Sequence, residues 1–239
     1  MPSQGPIIRI PIDYTRLLRN AHATGAATAI NTQGPMIINE QWSTATLDGT
    51  NTWVTDPTGT GTVARGTNAG RAICLLNLPA NLDMARIAGR RTVTNPGVSD
   101  PNLDMYQQLV LEFELLFGTV ANIANVTDGF FAGLGAGASL RASQNVAGFV
   151  LVSDALNVLT DAAAAETVTV VGSSPTLTVS NLYKVVIRNG AVDFWVNKVL
   201  KVTHTANIPA VPLTFSLGAT AEGATKLELG NVRMYLQDG

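Results

Sequence analysis

The chain has 239 residues, of which 46% are hydrophobic and 13% charged, and its formal net charge at pH 7 is −2. This length and apolar content are sufficient for one large core or two small ones, and the near-neutral charge gives no electrostatic footprint for nucleic acid. The charged fraction is about half that of an average soluble protein. A surface so poor in charge fits either a neutral, compact domain or one that neighbouring molecules cover in an assembly.

Residues 1–36 differ from the rest of the chain and are interpreted as an N-terminal arm. Pro11 and the isoleucines around it favour an extended segment, and Asp13 is placed to cap a short helix. The segment has too few apolar residues to fold alone, so it is either a flexible tail or an arm that docks on its own domain or on a neighbouring subunit. A docking arm would make its contacts through Pro11, Tyr14, Leu17 and Leu18.

The N-terminal stretch MPSQGPIIRIPIDY lacks the basic and then apolar order of a signal peptide. No run of the chain approaches the roughly 18 apolar residues of a membrane span. We therefore expect a protein made in a cytoplasm, with no membrane partner. The single cysteine, Cys74, excludes an internal disulfide framework. It lies in the apolar run AICLLNL, which predicts a buried and inert thiol.

Residues 37–239 are typical of a β domain, because apolar and polar side chains alternate between turn signals about 8 to 12 residues apart. In MYQQLVLEFELLFGTV the odd-numbered residues from Leu111 to Phe117 are apolar, whereas Glu112 and Glu114 fall on the opposite face. We expect the odd-numbered face of this strand to lie in the core.

The run KVVIRNGAVDFWVNKVLKVTH, residues 184–204, predicts a three-stranded meander. Asn189–Gly190 is a strong signal for a two-residue hairpin turn, and Asn197–Lys198 is a weaker one. Between the two turns, Phe194 falls on the apolar face and Trp195 on the other face.

Over the whole chain the pattern predicts roughly 12 to 15 short strands and almost no helix. Near Gly230 the alternation slips by one residue, which indicates a β-bulge. The predicted fold class is all-β, with two antiparallel sheets packed face to face as a jelly-roll sandwich. The predicted domain organisation is an extended N-terminal arm, residues 1–36, followed by one jelly-roll β-sandwich domain, residues 37–239.

Several segments of this domain resemble a concanavalin A-like (laminin-G, lectin/glucanase) jelly roll. NEQWSTATLDGTNTW resembles the opening strand pair, and LVLEFELLF followed by FFAGLGAG resembles a long strand and its glycine-rich partner. LYKVVIRNGAVDFWVNKVLKVTHTANIP resembles the late meander of the family, and KLELGNVRMYL resembles its closing strand. The resemblance extends from about Glu40 to Leu236 and implies a concanavalin A-like fold, a kind of fold that hosts many unrelated functions.

Composition adds a second resemblance, to the structural proteins of tailed bacteriophages. The shared features are low charge, abundant Ala, Thr, Gly and Asn, a single cysteine, and an arm ahead of a jelly roll. This resemblance implies a non-enzymatic virion structural protein, in a capsid-decoration, minor capsid or fibre-associated role, that stabilises a shell through its arm and loops. Its partners would be other copies of itself and a major capsid or other virion protein, and its location would be the virion.

A glycoside hydrolase on this fold would need paired carboxylates that face a cleft, and such enzymes carry the pattern E-x-D-x-x-E. The nearest match is Glu112 and Glu114, but Phe113 stands at the Asp position and no third acid follows. Two acids on one face are more typical of a solvated surface, so we expect no enzyme. The two histidines, His22 and His204, lie far apart and no metal-ligand spacing occurs, so we expect no cofactor.

Carbohydrate binding or adhesion of the lectin type is the alternative function. It would use loop acids to hold calcium and an aromatic side chain to stack on a sugar ring, and the candidates are Asp128, Asp154 and Trp195. Trp195 is either exposed for stacking or packed beneath another strand or the arm, as tryptophan usually is. Glycans would be the partners under this alternative.

Overall fold

A computed structural model describes residues 33–43, 46–49, 52–93, 108–127, 129–136, 145–162, 165–172 and 175–237. Gln33–Gly239 forms one compact unit, and its first strand begins at Gln33, ahead of the predicted start of the sandwich at residue 37. The predicted arm contacts lie outside the described residues, so the docking role of Pro11, Tyr14, Leu17 and Leu18 stays a prediction.

Nearly all regular structure in the described residues is β. The elements in chain order are β1 (Gln33–Glu40), β2 (Trp53–Thr55), β3 (Thr62–Asn68), β4 (Arg71–Leu78), β5 (Met84–Gly89), β6 (Gln108–Leu116), α1 (Val120–Ala124), β7 (Phe130–Gly135), β8 (Val146–Val152), β9 (Ala155–Ala162), β10 (Ala165–Val170), β11 (Asn181–Arg188), β12 (Ala191–Val196), β13 (Val199–His204), β14 (Thr214–Thr220) and β15 (Thr225–Gln237).

The strands form two antiparallel sheets. The eight-stranded sheet has the order β13-β12-β11-β6-β15-β4-β3, with β1 also paired to β15, and the seven-stranded sheet has the order β10-β9-β8-β7-β14-β5-β2. Strands distant in sequence are therefore neighbours, as in the pairing of β6 with β15 and of β7 with β14. The predicted all-β, two-sheet jelly-roll sandwich is confirmed.

The core lies between the two sheets and is built from alternate side chains of each strand. On β6 the even-numbered acids, Glu112 and Glu114, point away from the core and stay partly exposed. The odd-numbered side chains of the same strand are almost completely buried, and they are Leu109, Leu111, Phe113 and Leu115. The parity predicted for this strand is confirmed.

Aromatic contacts join the two sheets at the centre of the core. Phe113 of β6 stacks on Tyr183 of β11 with ring centroids 5.3 Å apart. From the other sheet, Phe149 of β8 meets Phe113 edge-on at 6.2 Å, and Phe215 of β14 lies 5.7 Å from the same ring. Each such pair adds about 0.5–1.5 kcal/mol beyond the burial of its area, so Phe113 is central to sheet-to-sheet packing.

The two predicted hairpin turns close the meander of β11, β12 and β13. Gly190 has a φ of 71°, in the left-handed region that favours glycine. The second turn places two other residues there, Asn197 with φ 50° and Lys198 with φ 67°. Side-chain hydrogen bonds hold this turn, because the Leu182 N–H donates to Asn197 Oδ1 at 3.0 Å and Asn197 Nδ2 donates to Asn181 Oδ1 at 2.8 Å.

The predicted bulge near Gly230 is confirmed by a shift in the register of β15 with β6 between Leu229 and Val232. A Cβ atom at Gly230 would lie 2.7 Å from Oε2 of Glu114, which is too close for non-bonded atoms. Glycine at the bulge therefore leaves the space that the Glu114 side chain occupies on the outer face of the eight-stranded sheet.

Candidate functional site

Four side chains from four neighbouring strands form one row on the outer face of the eight-stranded sheet. Trp195 of β12 lies directly opposite Lys184 of β11, Lys184 lies opposite Glu112 of β6, and Glu112 lies opposite Arg233 of β15. They point outward because the residues next to them in each strand, such as Phe194, are buried in the core. Neighbouring strands are about 4.8 Å apart, so the row spans roughly 14 Å.

This row is the floor of a cleft of about 390 Å³, which we call the Trp195 cleft. Two further residues complete its walls: Lys198, from the turn that precedes β13, and Leu182, from β11. The side chains that line the Trp195 cleft are therefore Glu112, Leu182, Lys184, Trp195, Lys198 and Arg233. It combines one aromatic ring, one aliphatic side chain, three cations and one carboxylate.

The indole of Trp195 is fixed in place although part of it stays exposed. It packs against a small apolar cluster on the same outer face, formed by Val110, Val186 and Tyr235. Trp195 is thus intermediate in exposure, between the two alternatives considered from the sequence. A ring that is already held by packing loses little conformational freedom when a ligand stacks on it.

The charged side chains of the Trp195 cleft differ in whether a partner of opposite charge lies close to them. Lys184 Nζ lies 3.5 Å from Glu112 Oε1, and Tyr235 donates a hydrogen bond to the same carboxylate oxygen at 3.3 Å. In the described part of the chain, no carboxylate lies within ion-pair distance of Lys198 or Arg233, and both side chains are exposed. Two cations of the cleft therefore remain to act on a ligand.

A second, smaller cleft of about 150 Å³ lies farther along the same sheet face. It contains Glu114, which forms an ion pair with Arg71, and Glu228, which accepts a hydrogen bond from Asn68. Glu112 and Glu114 thus line two different clefts, and each is engaged by a cation. The acid pair singled out in the sequence does not converge on one point.

The outer face of the seven-stranded sheet is different, because its centre is made of small and apolar side chains. One register row crosses four strands and contains Gly148, Gly133, Ser216 and Ala88. Beside it lies an apolar cluster that is separate from the main core and at most 1% exposed, formed by Phe131, Val146, Val150 and Leu159. This face is as deeply buried as the core, and its described centre carries no carboxylate pair.

Two carboxylates of this face lie at its edge. Asp161 of β9 is directly opposite Glu166 of β10, and directly opposite residues have Cβ atoms about 4.5–5.5 Å apart. Asp161 is only 7% exposed, whereas Glu166 is exposed to solvent. Two carboxyl groups about 5–5.5 Å apart can act on one sugar carbon as nucleophile and general acid, and unlike surroundings favour unlike roles. Sequence patterns did not single out this pair, since it joins two strands.

Of the lectin-type candidates, Asp154 and Trp195 lie apart. Asp154 lies in the turn between β8 and β9, where its N–H donates to Thr127 Oγ1 at 2.9 Å, while Trp195 lies on the outer face of the other sheet. Asp128 lies outside the described residues, so its calcium role stays a prediction. Among the residues that are described, no group of three His, Cys, Asp or Glu side chains is placed to hold a metal ion.

No described helix is long and apolar enough to cross a membrane.

Comparisons with known proteins identify the fold. No protein-family profile and no curated protein sequence matches the chain. An endo-1,3-β-glucanase from Streptomyces sioyaensis is similar in structure, with a TM-score of 0.60 at 12% identity over 90% of this chain and 100% of that chain. A glycoside hydrolase family 16 protein of a Bacteroides ovatus mixed linkage glucan PUL, in complex with a product, gives a TM-score of 0.56 at 9% identity over 83% and 99% of the two chains.

A third similar structure is domain 4 of an extracellular arabinanase from Geobacillus stearothermophilus, in complex with arabinotriose. Its TM-score is 0.52 at 13% identity, over 86% of this chain and 94% of that chain. At such identities the likeness shows the fold alone. The fold is a concanavalin A-like jelly-roll sandwich, as the sequence resemblance implied.

These comparisons correct the functional hypothesis drawn from the sequence. We expected a non-enzymatic virion structural protein, whereas the similar structures named above are glycanases or a domain of one. These comparisons contradict the virion role and the expectation that the chain is not an enzyme. The low charge that suggested an assembly has another physical cause, because a sheet buried on its outer face as well as in the core needs apolar and small residues on both faces.

Proposed function

We propose that this chain is a carbohydrate-active protein and that the Trp195 cleft binds a sugar chain. The observation that carries the proposal is the partly exposed indole of Trp195, held by packing in a cleft where four of the other five lining side chains can form hydrogen bonds. A sugar ring offers an apolar face, which packs on an aromatic ring, and hydroxyl groups at its edge, which bond to charged side chains. The cleft supplies both kinds of contact.

The shape of the Trp195 cleft supports a ligand that is longer than one sugar ring. The row from Trp195 to Arg233 runs across four strands, so successive sugar rings could lie over successive strands. The floor is rigid, because every residue in the row belongs to a strand paired on both sides. A preformed floor lowers the ordering cost of binding.

The comparisons support a carbohydrate ligand in a general way. The structures named above are two proteins that act on glucans and one domain in complex with arabinotriose. They share the fold of this chain at low identity, so the location of the site rests on the contacts of Trp195 and its neighbours.

The test is a binding screen on a polysaccharide panel, followed by calorimetry with the best ligand. We expect Trp195→Ala to weaken binding at least about tenfold, equivalent to about 1.4 kcal/mol, because the stacking surface is lost. Val120→Ala is the control, since Val120 is 73% exposed on α1 and lines neither cleft. Equal affinity of Trp195→Ala and the unaltered protein, or no binding to any polysaccharide, would overturn the proposal.

Glycoside hydrolysis is a second candidate function, favoured by the opposed pair Asp161 and Glu166. Asp161 is buried and Glu166 is exposed, and the Cβ atoms of directly opposite residues are close enough for their two carboxyl groups to act on one sugar. This pair lies on the seven-stranded sheet, so it would act independently of the Trp195 cleft.

Hydrolysis is tested by the release of reducing ends from polysaccharides. If the pair is catalytic, Asp161→Asn and Glu166→Gln should each lower kcat by at least about a hundredfold, the lower range for loss of a positioned acid or base. Glu222→Gln is the matched control, because Glu222 is an exposed carboxylate that lines neither cleft. Full activity of both pair variants would assign hydrolysis, if present, to other residues.

A further inference from the structure

We infer that the sugar chain selected by the Trp195 cleft is anionic, carrying carboxylate or sulfate groups. This inference rests on the proposed carbohydrate-binding function of the same cleft and specifies its ligand class. Three of the lining side chains are cations, Lys184, Lys198 and Arg233, against the single carboxylate of Glu112. A neutral polysaccharide would not need this excess of positive charge.

The positive charge is local. The whole chain has a net charge of −2 and contains four lysines, and two of these, Lys184 and Lys198, line this one cleft. Glu112 already accepts contacts from Lys184 and Tyr235, so it neutralises Lys184 and leaves Lys198 and Arg233 in excess. Clefts of one charge sign concentrate ligands of the opposite sign.

The position of Lys198 is set by the hairpin turn between β12 and β13. Lys198 has a φ of 67°, in the left-handed region that non-glycine residues seldom occupy, and its neighbour Asn197 has a φ of 50°. Hydrogen bonds of the Asn197 side chain to Leu182 and Asn181 hold the turn in this shape. Both φ values are those of a two-residue hairpin turn, and this turn places the ammonium group of Lys198 at the edge of the Trp195 cleft.

Two cations of the row lie on strands at either side of Glu112. Lys184 and Arg233 flank Glu112 on either side, so their backbones are two strand spacings, about 10 Å, apart. Acid groups on separate sugars of one chain can meet the cations on either side of Glu112. Glu112 between them repels an anion placed at the centre of the row. The cleft therefore favours a chain whose acid groups are separated by neutral positions.

The experiment compares polymers that differ in charge but share a sugar backbone. A carrageenan and a neutral galactan form the first pair, polygalacturonate provides a carboxylated chain, and polyphosphate is a sugar-free polyanion. We expect the Kd of at least one anionic polysaccharide to be at least about tenfold lower than that of neutral galactan at low salt, and to rise steeply with salt because exposed charges are screened. The sulfated and carboxylated arms identify which acid group is recognised.

Variants test whether the cations of this cleft are responsible. Lys198→Gln and Arg233→Gln should each weaken binding of the anionic chain about two- to fivefold, as is expected for the loss of an exposed charge contact. Lys226→Gln is the matched control, because Lys226 is an exposed lysine of β15 that does not line the cleft, and we expect its Kd to change less than about twofold.

The outcomes separate this inference from the proposed function. Tight, Trp195-dependent binding of neutral galactan with no preference for the charged polymers would overturn the inference and support the proposed function. Binding of polyphosphate as tight as that of the anionic polysaccharides would also overturn it, because charge alone would then suffice. Absence of binding to every polysaccharide would overturn both.

Discussion

At the scale of single residues, Gly230 shows how one backbone position shapes the outer face of the eight-stranded sheet. It lies in the bulge of β15, and a Cβ atom there would be 2.7 Å from Oε2 and 2.8 Å from Cβ of Glu114. Glycine inside a strand is normally unfavourable relative to alanine, because it loses more conformational freedom on folding. Its presence here indicates that the space given to Glu114, which pairs with Arg71, matters more.

We predict that Gly230→Ala lowers the free energy of unfolding by about 1–3 kcal/mol, the usual cost of overpacking. The measurement is urea denaturation. Gly172→Ala is the control, because no atom lies within 4 Å of the Cβ position at Gly172, and we expect a change within about 0.5 kcal/mol.

The double variant Gly230→Ala with Glu114→Ala removes the carboxylate at 2.7 Å but keeps the Cβ atom of residue 114 at 2.8 Å, so it should recover only a part of the lost stability. A Gly230→Ala variant as stable as the Gly172 control would show that the bulge accommodates a methyl group. If the two changes are simply additive in the double variant, the carboxylate of Glu114 is not the cause of the loss of stability.

At the scale of elements, much of the fold could be predicted and much of the site could not. Side-chain alternation is local, so the core face of β6, the meander after Lys184 and the bulge near Gly230 were all predicted correctly. The same alternation placed Trp195 on the outer face. The partners of Glu112 in the row were missed, because they depend on the pairing of β6 with β11 and β15, which lie far away in sequence.

The edges of the two sheets are joined by His204, at the end of β13. Its Nδ1 and Nε2 lie 2.9 Å from Thr160 Oγ1 of β9 and Thr169 Oγ1 of β10, respectively. Thr160 donates its hydroxyl hydrogen to the carbonyl oxygen of Ala206 at 3.1 Å. Thr160 Oγ1 therefore accepts from Nδ1–H, which leaves Nε2 as the acceptor of the Thr169 hydroxyl. This arrangement fits a neutral imidazole, and desolvation by burial lowers the pKa of His204 from its ordinary 6.5.

A pH dependence of stability follows from this contact. Because the folded state holds the proton of His204 less tightly than the unfolded chain, the stabilisation is fully present above about pH 6.5 and is lost as the pH falls below it. We predict that the free energy of unfolding of the unaltered protein decreases more between pH 7 and pH 5 than that of His204→Gln, which cannot titrate. Denaturant curves across this range provide the measurement, and parallel pH profiles for the two proteins would contradict the prediction.

At the scale of the whole molecule, the low charge content follows from the way the two sheets are packed. The core between them contains the inner side chains of nearly every strand, and the outer face of the seven-stranded sheet carries a second buried cluster. Few positions are then left for charged side chains. Several of the charged side chains that the protein does have lie on the outer face of the eight-stranded sheet. Composition alone shows that charged residues are few, but it does not show which face of the sandwich carries them.

Cys74 provides a probe of this packing, because it lies in the core with an exposed fraction of 0% and is a free thiol. Burial raises the pKa of the Cys74 thiol to about 12, so the reactive thiolate is scarce in the folded protein at pH 8. We predict that a thiol reagent modifies Cys74 only when the sandwich opens, and that the free energy of opening from labelling rates equals the free energy of unfolding from urea denaturation. Core-weakening Phe113→Leu should accelerate labelling in proportion to its loss of stability, whereas Val120→Ala on the exposed side of α1 should leave the rate unchanged. Labelling much faster than global unfolding would show that β4 separates from its neighbours while the rest of the two sheets stays intact.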